Sequence, residues 1–196
     1  DSSGRSYAVI SHGLPSARSQ GEPLTGKVNP PPGATFISCL SGNTDEIYVV
    51  ATDAGYGFVV KLEELLTKNK NGKALIKPPK GSLALAPHKI SDKDSDYIAA
   101  LSNEGRLLIF PIKDLPELTK GKGNKIINIP TAKALAREEI MIAIAVITAD
   151  QSLTVGSGKR TLTLKPKDLK HYQGERGRRG LKLPRGFQKA DSLLAS

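Results

Sequence analysis

Two short stretches carry the chemistry of this chain. In Lys120-Gly121-Lys122-Gly123-Asn124-Lys125, three cations flank two glycines. In Gln173-Gly174-Glu175-Arg176-Gly177-Arg178-Arg179-Gly180, arginines replace the lysines around three glycines. Glycine lets a backbone approach a phosphate closely, successive amides form an anion nest, and lysine acts as a mobile point charge. Arginine's planar fork takes phosphate oxygens two at a time. Neither stretch supplies the Asn/Gln and Arg set on a rigid helix that reads base edges. The chemistry they predict is contact with a polyanion backbone, tolerant of sequence and steeply weakened by salt.

The charge distribution concentrates that chemistry in one region. Residues 1 to 158 hold 18 Lys+Arg against 16 Asp+Glu, whereas Lys159 to Lys189 hold 11 basic residues against Asp168 and Glu175 alone. A solvated face normally interleaves both signs, so this surplus reads as the footprint of a polyanion. With no Trp, five Tyr and four Phe, the chain lacks the aromatic platform on which single-stranded bases stack, which favours duplex over single strand.

Other chemistries fail on spacing. A phosphate-loop motif ending at Gly158-Lys159 would need a glycine where Leu153 stands and a Ser/Thr where Arg160 stands. His12, His88 and His171 are scattered without metal-ligand spacing, and no Gly-x-Ser-x-Gly elbow exists. Acid pairs such as Asp45-Glu46 and Glu138-Glu139 fit solvated turns. Cys39, the only cysteine, excludes an internal disulfide and fits a reducing compartment; its neighbours Phe36, Ile37 and Leu40 predict a buried, inert thiol. The longest uncharged apolar stretch, Ile140 to Ala149, is too short for a membrane span. Residue 1 is not followed by a signal-peptide pattern. The spacing shows no active site, no metal site and no cofactor site.

The elements that must position the two stretches follow from a repeat. Turn glycines fall at 4, 55, 105 and 158, and each is followed at 10 or 11 residues by a leucine: Leu14, Leu65, Leu115 and Leu169. A Gly/Lys or Gly/Arg loop comes next in each copy: Gly26-Lys27, Gly72-Lys73, Gly121-Lys122-Gly123 and Gly174 to Gly180. β-prone runs flank the turns, as in Ile47–Ala51 with Gly57–Val60, Tyr97–Leu101 with Arg106–Phe110, and Ser152–Val155 with Thr161–Leu164. Further strands are expected at 74–76, 125–129 and 180–183, and one or two helical turns at Lys61 to Lys70. Four short strands in about fifty residues are the grammar of a propeller blade. The units run approximately 1–40, 41–90, 91–140 and 141–196, with prolines between them. The predicted fold is all-β and propeller-like, a single domain with equivalent loops on one rim; a β-sandwich would not explain the recurrence.

Leu14-Pro15-Ser16-Ala17-Arg18, Gln20 to Lys27, Asp53-Ala54-Gly55-Tyr56-Gly57-Phe58, Lys120 to Ile129 and Gly174 to Gly180 carry a resemblance. Over nearly the whole chain, Gly4 to Leu194, the sequence resembles the C-terminal domains of the A subunits of bacterial topoisomerase IV, relatives of the gyrase A domain. The resemblance implies a β-pinwheel that binds duplex DNA around its outer rim. On that rim it places Arg18, Lys27, Lys73, Lys120, Lys122, Lys125, Arg176, Arg178 and Arg179. The basic segment adds Lys159, Arg160, Lys182 and Arg185 and is expected to bind most strongly, and the nearly neutral second unit least.

The gyrase-type Gln-Arg-Arg-Gly-Gly-Lys-Gly box has no match here, which suits a decatenase better than a strong DNA wrapper. The resemblance also implies a further blade upstream, an open or C-shaped array, and a catalytic breakage-reunion domain elsewhere in the parent protein. It implies no cofactor for this domain, with ATP and magnesium handled by other parts of the enzyme. The expected partners are duplex DNA, the ATPase B subunit and the rest of the A subunit, in the cytoplasm at the nucleoid, with no membrane insertion and a monomeric fragment. The alternative from another class is a propeller-type scaffold for an acidic protein.

Overall fold

The computed structural model describes all residues from Asp1 to Ser196. In chain order the strands are β1 (Arg5–Ser6), β2 (Ile47–Ala51), β3 (Tyr56–Lys61), β4 (Lys73–Ala74), β5 (His88–Lys89), β6 (Tyr97–Ser102) and β7 (Arg106–Pro111). There follow β8 (Asn124–Lys125), helix α1 (Thr131–Leu135), β9 (Met141–Ile147), β10 (Leu153–Ser157), β11 (Arg160–Leu164), helix α2 (Pro166–Leu169), β12 (Leu181–Lys182) and β13 (Ser192–Ala195). No helix is long and apolar enough to cross a membrane.

Three hairpins form the blade centres, β2–β3, β6–β7 and β10–β11, each across a turn glycine with positive φ. Successive side chains of a strand point to opposite faces, so each central strand feeds two cores. Val49 and Ala51 of β2 join Val59, Ile98, Ala100, Leu108 and Phe110 between the second and third blades. Tyr48 and Val50 of the same strand face the other way and pack with Phe58, Val60, Leu75 and Ile76. Ala99, Leu101, Leu107 and Ile109 then meet Leu153, Val155 and Leu164 between the third and fourth blades. Continuous apolar runs such as Leu107-Leu108-Ile109-Phe110 are thus buried on both faces, as stacked blades require.

The blades exchange strands. The short strand after each of the last three Gly/Lys or Gly/Arg loops pairs with a strand of the preceding unit: β4 with β1, β8 with β3 and β12 with β7. The amides of Leu75, Ile126 and Leu183 then donate to the carbonyls of the turn glycines Gly4, Gly55 and Gly105, at 3.0, 2.8 and 2.8 Å. Two complete four-stranded sheets result, in the orders β5-β2-β3-β8 and β12-β7-β6-β9. The fourth hairpin lies in a three-stranded sheet, β11-β10-β13, in which β11 is an edge, and β1 and β4 form a two-stranded sheet.

Several expectations change in detail. The strands expected at 74–76, 125–129 and 180–183 are only two residues long, because the chain bends sideways once its amide reaches the neighbouring turn carbonyl. The helical stretch after Lys61 is one 3-10 turn, Leu62–Leu65; a similar turn precedes Leu115, and the short helix α2 ends at Leu169. Leu65, Leu115 and Leu169 are buried as the repeat requires, whereas Leu14 is 45% exposed, since β1 brings no long hairpin to cover it. Cys39 is exposed rather than buried: Ile37 and Leu40 turn toward the core beside it, and the thiol faces out.

Candidate nucleic-acid interface

Strand exchange brings each basic loop beside the next. Between the first and second loops, the Asn29 amide donates to the Lys70 carbonyl at 2.7 Å, and Asn29 Nδ2 donates to Asn71 Oδ1. Between the second and third, the Lys77 amide donates to Gly121 and the Gly121 amide to Leu75, both at 2.9 Å. Between the third and fourth, the Gly177 amide donates to Ile126 and the Asn128 amide to Arg178, again at 2.9 Å. Four loops that are far apart in sequence therefore lie edge to edge in one continuous band.

Close backbone approach explains Gly123 and Gly180 in that band, whereas a Cβ on Gly21, Gly26 or Gly121 would meet nothing within 4 Å. A Cβ on Gly123 would stand 2.4 Å from the Gly57 carbonyl, and one on Gly180 would stand 2.7 Å from that of Leu107. Both have positive φ, as does Gly72. In the first unit the matching residue is Gly21, with φ of 77°, rather than Gly26, which ends a 3-10 turn. Gly21 precedes Gly72 by the same 51 residues that separate Gly72 from Gly123, a cue that Gly26-Lys27 obscures.

The residue after each of the first three turn glycines braces the incoming loop. Arg5 donates to the carbonyls of Asn71 and Gly72, and Arg106 donates to that of Gly180. Tyr56 instead offers its ring, with Lys122 Nζ 4.1 Å and Lys125 Nζ 5.8 Å from the centroid. The cation or aromatic directly after the turn glycine recurs in the sequence at Arg5, Tyr56, Arg106 and Lys159, but the sequence alone does not show what it touches.

The thirteen sequence-predicted cations divide by partner. Arg18, Lys120, Lys159, Arg160, Lys182 and Arg185 are exposed and make no side-chain hydrogen bond or salt bridge, and Lys122 is held only by its contact with the Tyr56 ring. Lys27 is neutralised by Glu22 at 3.1 Å and Lys73 by Glu64 at 3.1 Å. Lys125 Nζ donates to Asn128 Oδ1 at 2.7 Å. Exposed cations screened by carboxylates contribute little to a distant field. Free positive charge is therefore present at Arg18 and, beside the second loop, at the exposed Lys70 and Lys77, and it is densest from Lys120 toward the C-terminal unit.

The arginine run is itself divided. Arg178 is 73% exposed and pairs only with Glu175, which is equally open to solvent. Arg176 turns inward, donating to the Asp114 and Lys125 carbonyls at 2.7 Å each. Arg179 forms a two-pronged pair with Glu139, both bonds at 2.6 Å, and also donates to the Asn128 carbonyl. Glu139 is fully buried rather than part of a solvated turn, because this pairing satisfies both of its oxygens. Glu104, nearby, is held below the usual carboxylate range mainly by its hydrogen bond from Lys133, with the positive charges of Arg179 and Lys182 adding to this. No group of three or more His, Cys, Asp or Glu residues is arranged to hold a metal ion.

Comparison with known proteins agrees with this architecture. The family described as the DNA gyrase C-terminal domain, beta-propeller, matches residues 46–95 and 96–146, together just over half of the chain. Those two segments carry the hairpins of the two four-stranded sheets. The chain is 57% identical over 194 residues to the A subunit of DNA topoisomerase 4 from Pseudomonas aeruginosa, covering 99% of this chain and 26% of that protein. It is 49% identical to the Escherichia coli counterpart over 193 residues, 98% of this chain and 25% of that protein. The chain therefore spans about a quarter of the length of these relatives. Among solved structures, the Escherichia coli ParC C-terminal domain superposes with a TM-score of 0.92 at 47% identity, covering all of this chain and 78% of that one. A DNA gyrase A C-terminal domain superposes with a TM-score of 0.62 at 14% identity over 77% of this chain and 50% of that one, which shows a shared fold. Strand exchange, turn glycines and sequence identity converge: the chain belongs to the DNA gyrase C-terminal domain family of β-propellers, in the group formed by the A subunits of topoisomerase IV.

Proposed function

We propose that this chain is the non-catalytic duplex-DNA-binding and bending module of a type II topoisomerase. It binds the phosphate backbone without regard to sequence and presents a transport segment to the catalytic core. By setting the DNA path, it tunes preference among catenated and supercoiled substrates. The observation that carries this reading is the continuous band of hydrogen-bonded Gly/Lys and Gly/Arg loops, with unpaired cations that are densest toward the C-terminal unit. Duplex DNA carries a regular line of charge, and a band of mobile lysines on a fixed backbone matches a line rather than a point.

In the parent enzyme the module works with an ATPase B subunit, with the rest of its own A subunit, and at the nucleoid in the cytoplasm. ATP and magnesium belong to those other parts, and this domain needs no cofactor. Anisotropy titration of unrelated duplexes at several salt concentrations tests the reading. Affinity is expected to be similar for all sequences, with a log–log salt slope of about −0.9 for each phosphate neutralised. A scaffold for an acidic protein would show no such duplex affinity, and a preference for one sequence would also contradict the proposal.

A further inference from the structure

Glu139 is an acid in the middle of a basic surface, buried without exposure and placed just ahead of β9. A buried carboxylate is costly unless its oxygens are matched, and Arg179 matches both. Lys133 approaches the same carboxylate at 4.0 Å while bonding Glu104 at 3.1 Å. The network ties together the turn of the third hairpin, α1, the approach to β9 and the arginine loop.

That loop, 174–180, is otherwise fixed to residues 125–128 by the amides of Gly177 and Asn128 and by Arg176. Arg178 sits between these anchors with its head in solvent and only Glu175 to release. An exposed pair of that kind is weak, and a phosphate competes with it readily. The neighbours hold the backbone from which Arg178 projects.

Resting on the duplex-DNA reading above, we propose that Glu139 is a positioning residue for the phosphate path: it touches no DNA, and through Arg179 it holds the loop so that Arg178 is presented to a phosphate. Arg179 is then part of the clamp and Arg178 the contact. A preorganised contact binds more tightly than one that must first be ordered.

The sign of the effect makes the proposal testable. Removing a negative charge from a DNA-binding face should tighten binding if only long-range charge matters. Glu139→Gln is expected instead to weaken duplex binding roughly twofold to tenfold and to make the salt slope shallower. Glu139→Asp keeps the charge and shortens the reach, so it should weaken binding in the same direction by less. It also serves as the second variant should Glu139→Gln fold poorly by circular dichroism. Arg178→Ala should weaken binding at unchanged Tm, and its effect should shrink in the Glu139→Asp background, because both changes act on one contact. Arg179→Ala should lower Tm. Wild-type binding combined with unchanged or tighter binding by both Glu139 variants overturns the positioning role. So does an Arg179→Ala protein that loses one phosphate contact at unchanged Tm. No duplex binding by the wild type would instead overturn the DNA reading itself.

Discussion

Gly105→Ala is expected to destabilise the domain by about 3–5 kcal/mol, against about 1 kcal/mol for Gly158→Ala at the equivalent turn. Both glycines have positive φ, 65° and 60°, so the left-handed strain of an alanine is common to both. What differs is the neighbour. A Cβ on Gly105 would stand 2.4 Å from the Phe187 carbonyl and 2.6 Å from the Gln188 Cα, both backbone atoms of the following unit. A Cβ on Gly158 meets nothing within 4 Å, because no strand lies outside β11. Backbone cannot rotate away as a flexible side chain can, so the third turn must separate from the loop it receives. Denaturant unfolding of the two variants checks this, and equal losses would mean that the turns do not form the junctions described. Gly55→Ala should resemble Gly105→Ala, since its Cβ would meet the Ile127 carbonyl at 2.5 Å.

Changing Lys159, Arg160, Lys182 and Arg185 together to glutamine is expected to lower duplex affinity roughly a hundredfold near physiological salt and to reduce the salt slope by up to about 0.9 for each charge. These four are exposed and have no side-chain partner, so their removal leaves no buried charge orphaned and should leave stability within about 0.5 kcal/mol of wild type. The same number of changes at Lys27, Lys61, Lys73 and Lys93 should have a much smaller effect on DNA, because each pairs with a glutamate. Comparing the two sets at equal net charge separates local contact from bulk charge. Equal losses would show that the band is not a path.

Much of this arrangement can be read from the chain, and the remainder fails for physical reasons. The hairpins and turn glycines are legible because a β-prone run, a tight turn and a second run are all local, and Gly4, Gly55, Gly105 and Gly158 do all have positive φ. The strand partners are not local. A two-residue strand such as Lys73–Ala74 has no periodicity, and it pairs with Arg5–Ser6, nearly seventy residues earlier. Met141–Ile147 is apolar throughout, so nothing in its pattern distinguishes a strand from a buried helix. At the interface, the composition of the basic loops is visible, but the direction of each arginine is not. Arg178 and Arg179 are neighbours in sequence, and their different fates are set by Glu139, forty positions away. The loop glycine of the first unit is likewise hidden, because Gly26-Lys27 has the expected composition and Gly21 the expected geometry.

The central claim is that four loops make one path for duplex DNA, and the dependence of affinity on duplex length tests it most directly. The account predicts that affinity rises with length well beyond a single helical turn of about 10 base pairs, as successive loops are engaged. Affinity that is already constant from that length upward, or no binding at any length, would contradict it.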